Sequence, residues 1–188
     1  MTDSRRTKAF KSFCNSVLER ENSAYRFVDD YVTEITSASE IQSVEEALEA
    51  VSSMSGVKAH LSTAVELLSD RKNPDYRNSI KESISAVEGI SQIMTGKPKA
   101  TLGEALAILE SSGSLHGALK RGFSALYGYA SDADGIRHAM LDEASLTFTD
   151  AKYMLIVCTA FINYVLGKAA DLDLRLDGAS YERANKAG

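Results

Sequence analysis

Asp75-Tyr-Arg-Asn-Ser-Ile-Lys-Glu-Ser-Ile-Ser-Ala-Val-Glu-Gly-Ile-Ser-Gln-Ile-Met-Thr95 decides the fold. Tyr76, Ile80, Ile84, Val87 and Met94 recur at intervals of three, four and seven, so they share one face of an α-helix, and the segment is too long for a strand. Pro74 stops whatever precedes it, because it has no amide hydrogen and pushes Asn73 out of helical geometry. Gly96 punctuates the far end. A second, narrow stripe of Asn78, Glu82, Ser85 and Gly89 runs beside the apolar one, with Arg77, Lys81 and Glu88 alongside. A carboxylate among small polar groups on a core helix predicts the wall of a cavity; a water-facing stripe is the plainer alternative.

Toward the N-terminus the same period continues. Leu61, Ala64, Val65 and Leu68 give Val57 to Ser69 an apolar stripe, with His60 beside it as an exposed helix residue. Ser52-Ser-Met-Ser-Gly56 reads as a linker. An acidic helix is predicted from Ser39 to Val51 on Ile41, Val44, Leu48 and Val51, and an amphipathic one from Ser4 to Glu21 on Phe10, Phe13, Cys14 and Val17. Between them, Tyr25 to Thr36 is aromatic and β-branched on both sides of Asp29-Asp30, which predicts a short β-hairpin.

Toward the C-terminus, Thr101-Leu-Gly-Glu104 is a capping-box pattern opening a helix through Leu109. Ser111-Ser-Gly-Ser114 opens another, with Leu115, Leu119, Gly122 and Leu126 facing inward and His116, Lys120, Phe123 and Tyr127 on a different face. Thr149-Asp150 marks the start of a last long helix to about Leu172. Its run from Met154 to Leu166 is short for a bilayer and holds Thr159 and Asn163, so it reads as a buried helix rather than a membrane span. From Asp173 the period is lost and a loose tail is expected. The organisation is mainly α with one hairpin in a single globular unit: residues 1–56 packed on a bundle of residues 57–172, then a tail of residues 173–188.

Composition agrees: 188 residues, 44% hydrophobic, two prolines and no tryptophan suit one helical domain with a real core. Met1-Thr-Asp-Ser-Arg-Arg has no apolar segment behind it, and Cys14 and Cys158 lack metal or redox spacing, so a reduced cytoplasmic protein without a bound cofactor or metal is expected. The net charge of −5 argues against a general nucleic-acid coat. Yet residues 19–66 hold ten acidic and three basic side chains, whereas residues 71–121 hold eight basic and five acidic, an asymmetry that permits a local basic groove.

The most reactive-looking stretch is Tyr127-Gly-Tyr-Ala-Ser-Asp-Ala-Asp-Gly-Ile-Arg-His-Ala-Met-Leu-Asp142. Ser131 and Asp134 read as the cap of a helix start, from which Arg137 and His138 leave side by side. Arg offers a fork of donors for phosphate, and imidazole titrates nearest neutrality. The plainer reading pairs Arg137 with Asp132 or Asp134 and lets His138 close a turn.

With these residues laid out, Asn73 to Glu88, Ala100-Thr-Leu-Gly-Glu-Ala105, Leu126-Tyr-Gly-Tyr129, Ser131-Asp132 and Gly135-Ile-Arg-His138 resemble the C-terminal HEPN-like domain of bacterial abortive-infection proteins of the AbiJ type. In those relatives a further N-terminal domain comes first, so the resemblance implies a stand-alone relative or an excised domain. It also implies an all-α bundle that dimerises and a metal-independent endoribonuclease of phage-defence or toxin systems, with RNA as substrate and an antitoxin or partner domain as a possible companion. The usual signature there is an Arg with a His a few residues on; here Arg137 and His138 are adjacent. On this reading Arg137, His138 and Glu82 are catalytic, with Arg77, Asn78, Lys81, Lys120, Tyr127 and Asp132 holding substrate. The competing expectation is a non-catalytic module for dimerisation or for binding nucleotide or RNA.

Overall fold

The computed structural model describes residues 2–97, 99–131 and 146–171, with no side-chain detail for residues 2–4 and 129–131. Among them are seven helices and one hairpin: α1 (Thr2–Arg20), β1 (Arg26–Val28), β2 (Tyr31–Thr33), α2 (Ala38–Ala50), α3 (Ser55–Ser69), α4 (Tyr76–Thr95), α5 (Leu102–Ser111), α6 (Gly117–Ser131) and α7 (Phe148–Asp171). The fold is mainly α. Its tail beyond residue 171 and the segment holding Asp132, Arg137 and His138 lie outside the described residues.

The hairpin forms where expected, pairing Arg26 with Thr33, Phe27 with Val32 and Val28 with Tyr31. Asp29 takes φ 51°, supplying the left-handed turn residue that glycine usually provides; Asp tolerates this region because its short side chain can bond locally. Asn15 of α1 grips the outer edge of β1 from both sides: its amide nitrogen donates to the Phe27 carbonyl at 2.9 Å and its oxygen accepts the Phe27 amide at 2.7 Å.

Helix α4 is the hub, packed against α3, α5, α6 and α7. Its start is the one the sequence signals, with the Asp75 carboxylate accepting the Asn78 amide at 3.0 Å, and it ends at Gly96 with φ 66°. Ile80, Ile90, Leu61, Leu106, Leu155 and Ile162 are fully buried. Three serines of α4 join them. Ser79 donates across to the Ala64 carbonyl of α3 at 2.8 Å, while Ser83 and Ser91 bond back to the carbonyls four residues earlier, so no hydroxyl is stranded and the helices stay close. At Gly89 a β-carbon would come within 2.9 Å of Val57 Cγ2, which makes glycine the contact point of the α3–α4 pair.

Several expectations are corrected by packing. Ser131, expected as the cap of a helix start, is itself helical as the last described residue of α6. Leu119 is 42% exposed, and the inward face of α6 is the aromatic one, because Phe123 meets Phe161 edge-on with ring centroids 4.6 Å apart and also lies near Tyr164. Phe10 and Phe13 of α1, read as a face to be buried, stand 61% and 66% exposed. The cap of α7 is Thr147, whose hydroxyl and amide bond Asp150, two residues before the predicted start. By length and composition α7 would serve to cross a membrane, but its apolarity is used here in the core against α4 and α2.

Candidate functional site

The polar stripe of α4 faces α3. The Asp75 amide bonds the Leu67 carbonyl at 3.2 Å across the turn, and this sets the register of the two antiparallel helices. Seven residues on from Asp75 is Glu82 and seven back from Leu67 is His60, about two helical turns each way, so the two side chains meet. His60 Nδ1 lies 2.6 Å from Glu82 Oε2. An ionised carboxylate only accepts, so opposite it the imidazole donates from Nδ1, and in the neutral ring Nε2 is then the nitrogen that carries the lone pair. The His60 side chain is 43% exposed and that of Glu82 is 21%. His60, expected as an exposed helix residue, is half-exposed, and a carboxylate orients its imidazole. The signal was present in the sequence as the equal distance of both residues from the turn.

The rest of the predicted set is dispersed. Asn78 bonds the capping Asp75 carboxylate at 2.7 Å, and Arg77 and Lys81 are exposed on α4. Lys120 pairs with Glu110 of α5 at 2.6 Å, and the His116 ring accepts the Ala118 amide at the start of α6. Tyr127 donates its hydroxyl to Glu88 of α4 from the rim of a small apolar void of about 30 Å³. Cys158 lines the same void, and burial pushes its thiol up to about 12, so it stays protonated and unreactive. Glu82 is brought to His60, Tyr127 to Glu88 and Lys120 to Glu110. Gly89, expected in a cavity wall, is instead the seam with α3. Arg137, His138 and Asp132 fall outside the described residues. Among the described residues no three His, Cys, Asp or Glu side chains gather to hold a metal ion.

Helix α1 turns Lys8 and Lys11 toward Glu49 and Asp30 at 3.2 Å and 2.5 Å, above an open groove lined also by Glu45 and Lys58. Partial burial there raises the carboxyl of Glu45 above its ordinary value, a shift that the charges of Lys8 and Lys11 oppose.

Residues 2–50 match the family model AbiJ N-terminal domain 4. The match spans α1, the hairpin and α2, and it ties this part of the chain to AbiJ-type abortive-infection proteins. It falls on the N-terminal segment, whereas the resemblance set out above was to a C-terminal domain that follows an N-terminal one. No curated protein and no solved structure matches the chain.

Proposed function

We propose that the chain is an effector of bacterial abortive infection that cleaves RNA without a metal, through a HEPN-like bundle acting as a homodimer. The His60–Glu82 pair is the observation that carries this reading: a carboxylate fixing Nδ1–H leaves Nε2 poised as a general base in solvent reach. Nε2 takes the proton of a ribose 2′-OH, and the 2′ oxygen attacks the adjacent phosphorus. The 5′ oxygen then leaves with a proton from a second acid, giving a 2′,3′-cyclic phosphate end. His138 is the candidate for that acid and Arg137 for the donor that stabilises the phosphorane. Lys81 and Arg77, exposed on α4, are candidates to hold flanking phosphates.

The test is incubation of purified protein with total RNA, with and without a chelator. Cleavage insensitive to chelation is expected, with loss of about 10²- to 10⁴-fold in His60→Ala and a smaller loss in Glu82→Gln. His138→Ala with an unchanged rate removes His138 from the scheme; His60→Ala with an unchanged rate removes the whole of it. A second reading is favoured by the same bond, because it joins α3 to α4 and can be a strut in a non-catalytic module. In that case no RNA is cut, and His60→Ala lowers the melting temperature only.

A further inference from the structure

Helix α1 carries the two most exposed large apolar side chains among the described residues, Phe10 at 61% and Phe13 at 66%. They are three positions apart, so they form one patch rather than two isolated rings. At about 100° of turn per residue, Arg6, Phe10, Phe13, Val17 and Arg20 share one sector of roughly 80°. Lys8, Lys11 and Asn15, whose bonds to Glu49, Asp30 and Phe27 fasten the helix to the body, lie on the opposite side. The apolar stripe is therefore turned away from the bundle, with a cation at each end and no carboxylate along it. Arg6 and its neighbour Arg5 are exposed and make no ion pair among the described residues. Arg20 bonds only Glu21, the next residue, at 2.9 Å.

We infer that α1 seats the protein on an anionic lipid surface, lying along it with both phenyl rings at the boundary of headgroups and acyl chains and with Arg5, Arg6 and Arg20 against anionic headgroups. A helix of low overall hydrophobicity, with an aromatic stripe and arginines beside it, has what lying in the interface requires. The cytoplasmic leaflet of a cell membrane is anionic and supplies that surface. A second copy of the chain fits the stripe less well. Antiparallel pairing of two α1 helices sets Arg6 of one against Arg20 of the other, and parallel pairing sets each arginine against its own counterpart, so like charges meet either way. A folded protein partner is disfavoured by width. One helical stripe is narrower than the roughly 800 Å² per side of a stable protein interface, whereas a lipid surface asks for no complementary shape. The inference concerns where the protein sits and is independent of the His60–Glu82 pair.

Co-sedimentation of the intact chain with vesicles of phosphatidylcholine alone, and of phosphatidylcholine mixed with phosphatidylglycerol, tests this. The expected result is saturable binding to the mixed vesicles at millimolar lipid, little binding to phosphatidylcholine alone, and release as NaCl approaches molar concentration. Phe10→Ser with Phe13→Ser, and separately Arg5→Glu with Arg6→Glu, should each weaken binding about tenfold or more. The melting temperature should hardly move in either, since all four side chains are exposed. Leu119→Ser, a polar change at an exposed leucine of α6, should leave the binding as it is. Absence of binding to the mixed vesicles overturns the inference. So does binding that survives both double variants or that Leu119→Ser weakens as much, because the contact then lies elsewhere. A dimer that Phe10→Ser with Phe13→Ser converts to monomer overturns it too, by assigning the stripe to a second copy, and binding to soluble polyglutamate without binding to vesicles does so by assigning it to an acidic protein.

Discussion

Helices α1 and α4 are nearly equal in length, 19 and 20 residues, and both carry apolar side chains at helical spacing, yet they are held in different ways. The apolar residues of α4 are sealed by α3, α5, α6 and α7, and even its inward serines are bonded. Of its apolar side chains helix α1 keeps only Cys14, Val17 and Leu18 half-buried, leaves Phe10 and Phe13 to solvent, and is tied down by Asn15 and two lysine–carboxylate pairs. Periodicity reveals which side of a helix is apolar. It does not reveal whether the remainder of the chain supplies a surface to cover that side. The two helices should therefore respond to different perturbations: α4 to changes in volume, α1 to changes in charge and salt.

The largest contrast should come from truncating apolar side chains. Leu155→Ala or Ile80→Ala removes a fully buried group and should cost about 2–5 kcal/mol in urea unfolding, whereas Phe13→Ala should stay within about 0.5 kcal/mol. A Phe13→Ala loss as large as that of Leu155→Ala would show that α1 is covered in solution, for instance by a second copy of the chain. Next in size is Gly89→Ala, where the new methyl meets Val57. A loss of about 1–3 kcal/mol is expected despite the better helix propensity of Ala, with recovery when Val57→Ala is added. If the double variant shows no coupling, the close approach is not what glycine serves.

Salt should separate the helices further. Raising NaCl toward molar concentration screens the Lys8–Glu49 and Lys11–Asp30 pairs, so α1 amides should exchange faster while α4 amides are unmoved. The smallest effect is that of pH. Hydrogen bonds from Thr147 hold the Asp150 carboxyl below its ordinary value, and bonds from the Thr101 amide and from Lys97 do the same for Glu104. Groups depressed in the folded state stabilise it above their unfolded values, near 4, and that contribution is lost as pH falls through the folded ones. Glu45 acts in the opposite sense. Its raised carboxyl favours the folded state at low pH and weighs against it as pH rises through the range between its ordinary and raised values. An acid titration of wild type should therefore lose stability below about pH 4, less steeply at the lower edge in Asp150→Asn.

What the sequence made legible was local. The hairpin around Asp29, the start of α4 behind Pro74 and the Thr101–Glu104 capping box each depend on residues within four positions of one another, and each forms as expected. What escaped depended on partners far along the chain. Phe123 turns inward because Phe161 waits on α7, and Leu119 is displaced outward as a result. His60 meets Glu82 across a turn, a pairing that the equal spacing of both residues from that turn signals only once the two helices are taken as an antiparallel pair. Of the predicted site, Glu82 acquires a chemically suggestive partner, whereas the Arg137–His138 stretch falls outside the described residues.

The grip of Asn15 on Phe27 has a consequence for how this chain avoids unwanted company. A two-stranded sheet has two rims, and each rim is an open row of donors and acceptors onto which another extended polypeptide can add itself. On the β1 side, one side-chain amide occupies the donor and acceptor of Phe27 that such a visitor would need first, performing the office of a third strand with a single residue. Asn15→Ala would vacate that rim while leaving every helix of the bundle intact. Its signature should then be a new tendency to self-associate through the hairpin, growing with protein concentration, in a molecule whose melting temperature has hardly moved.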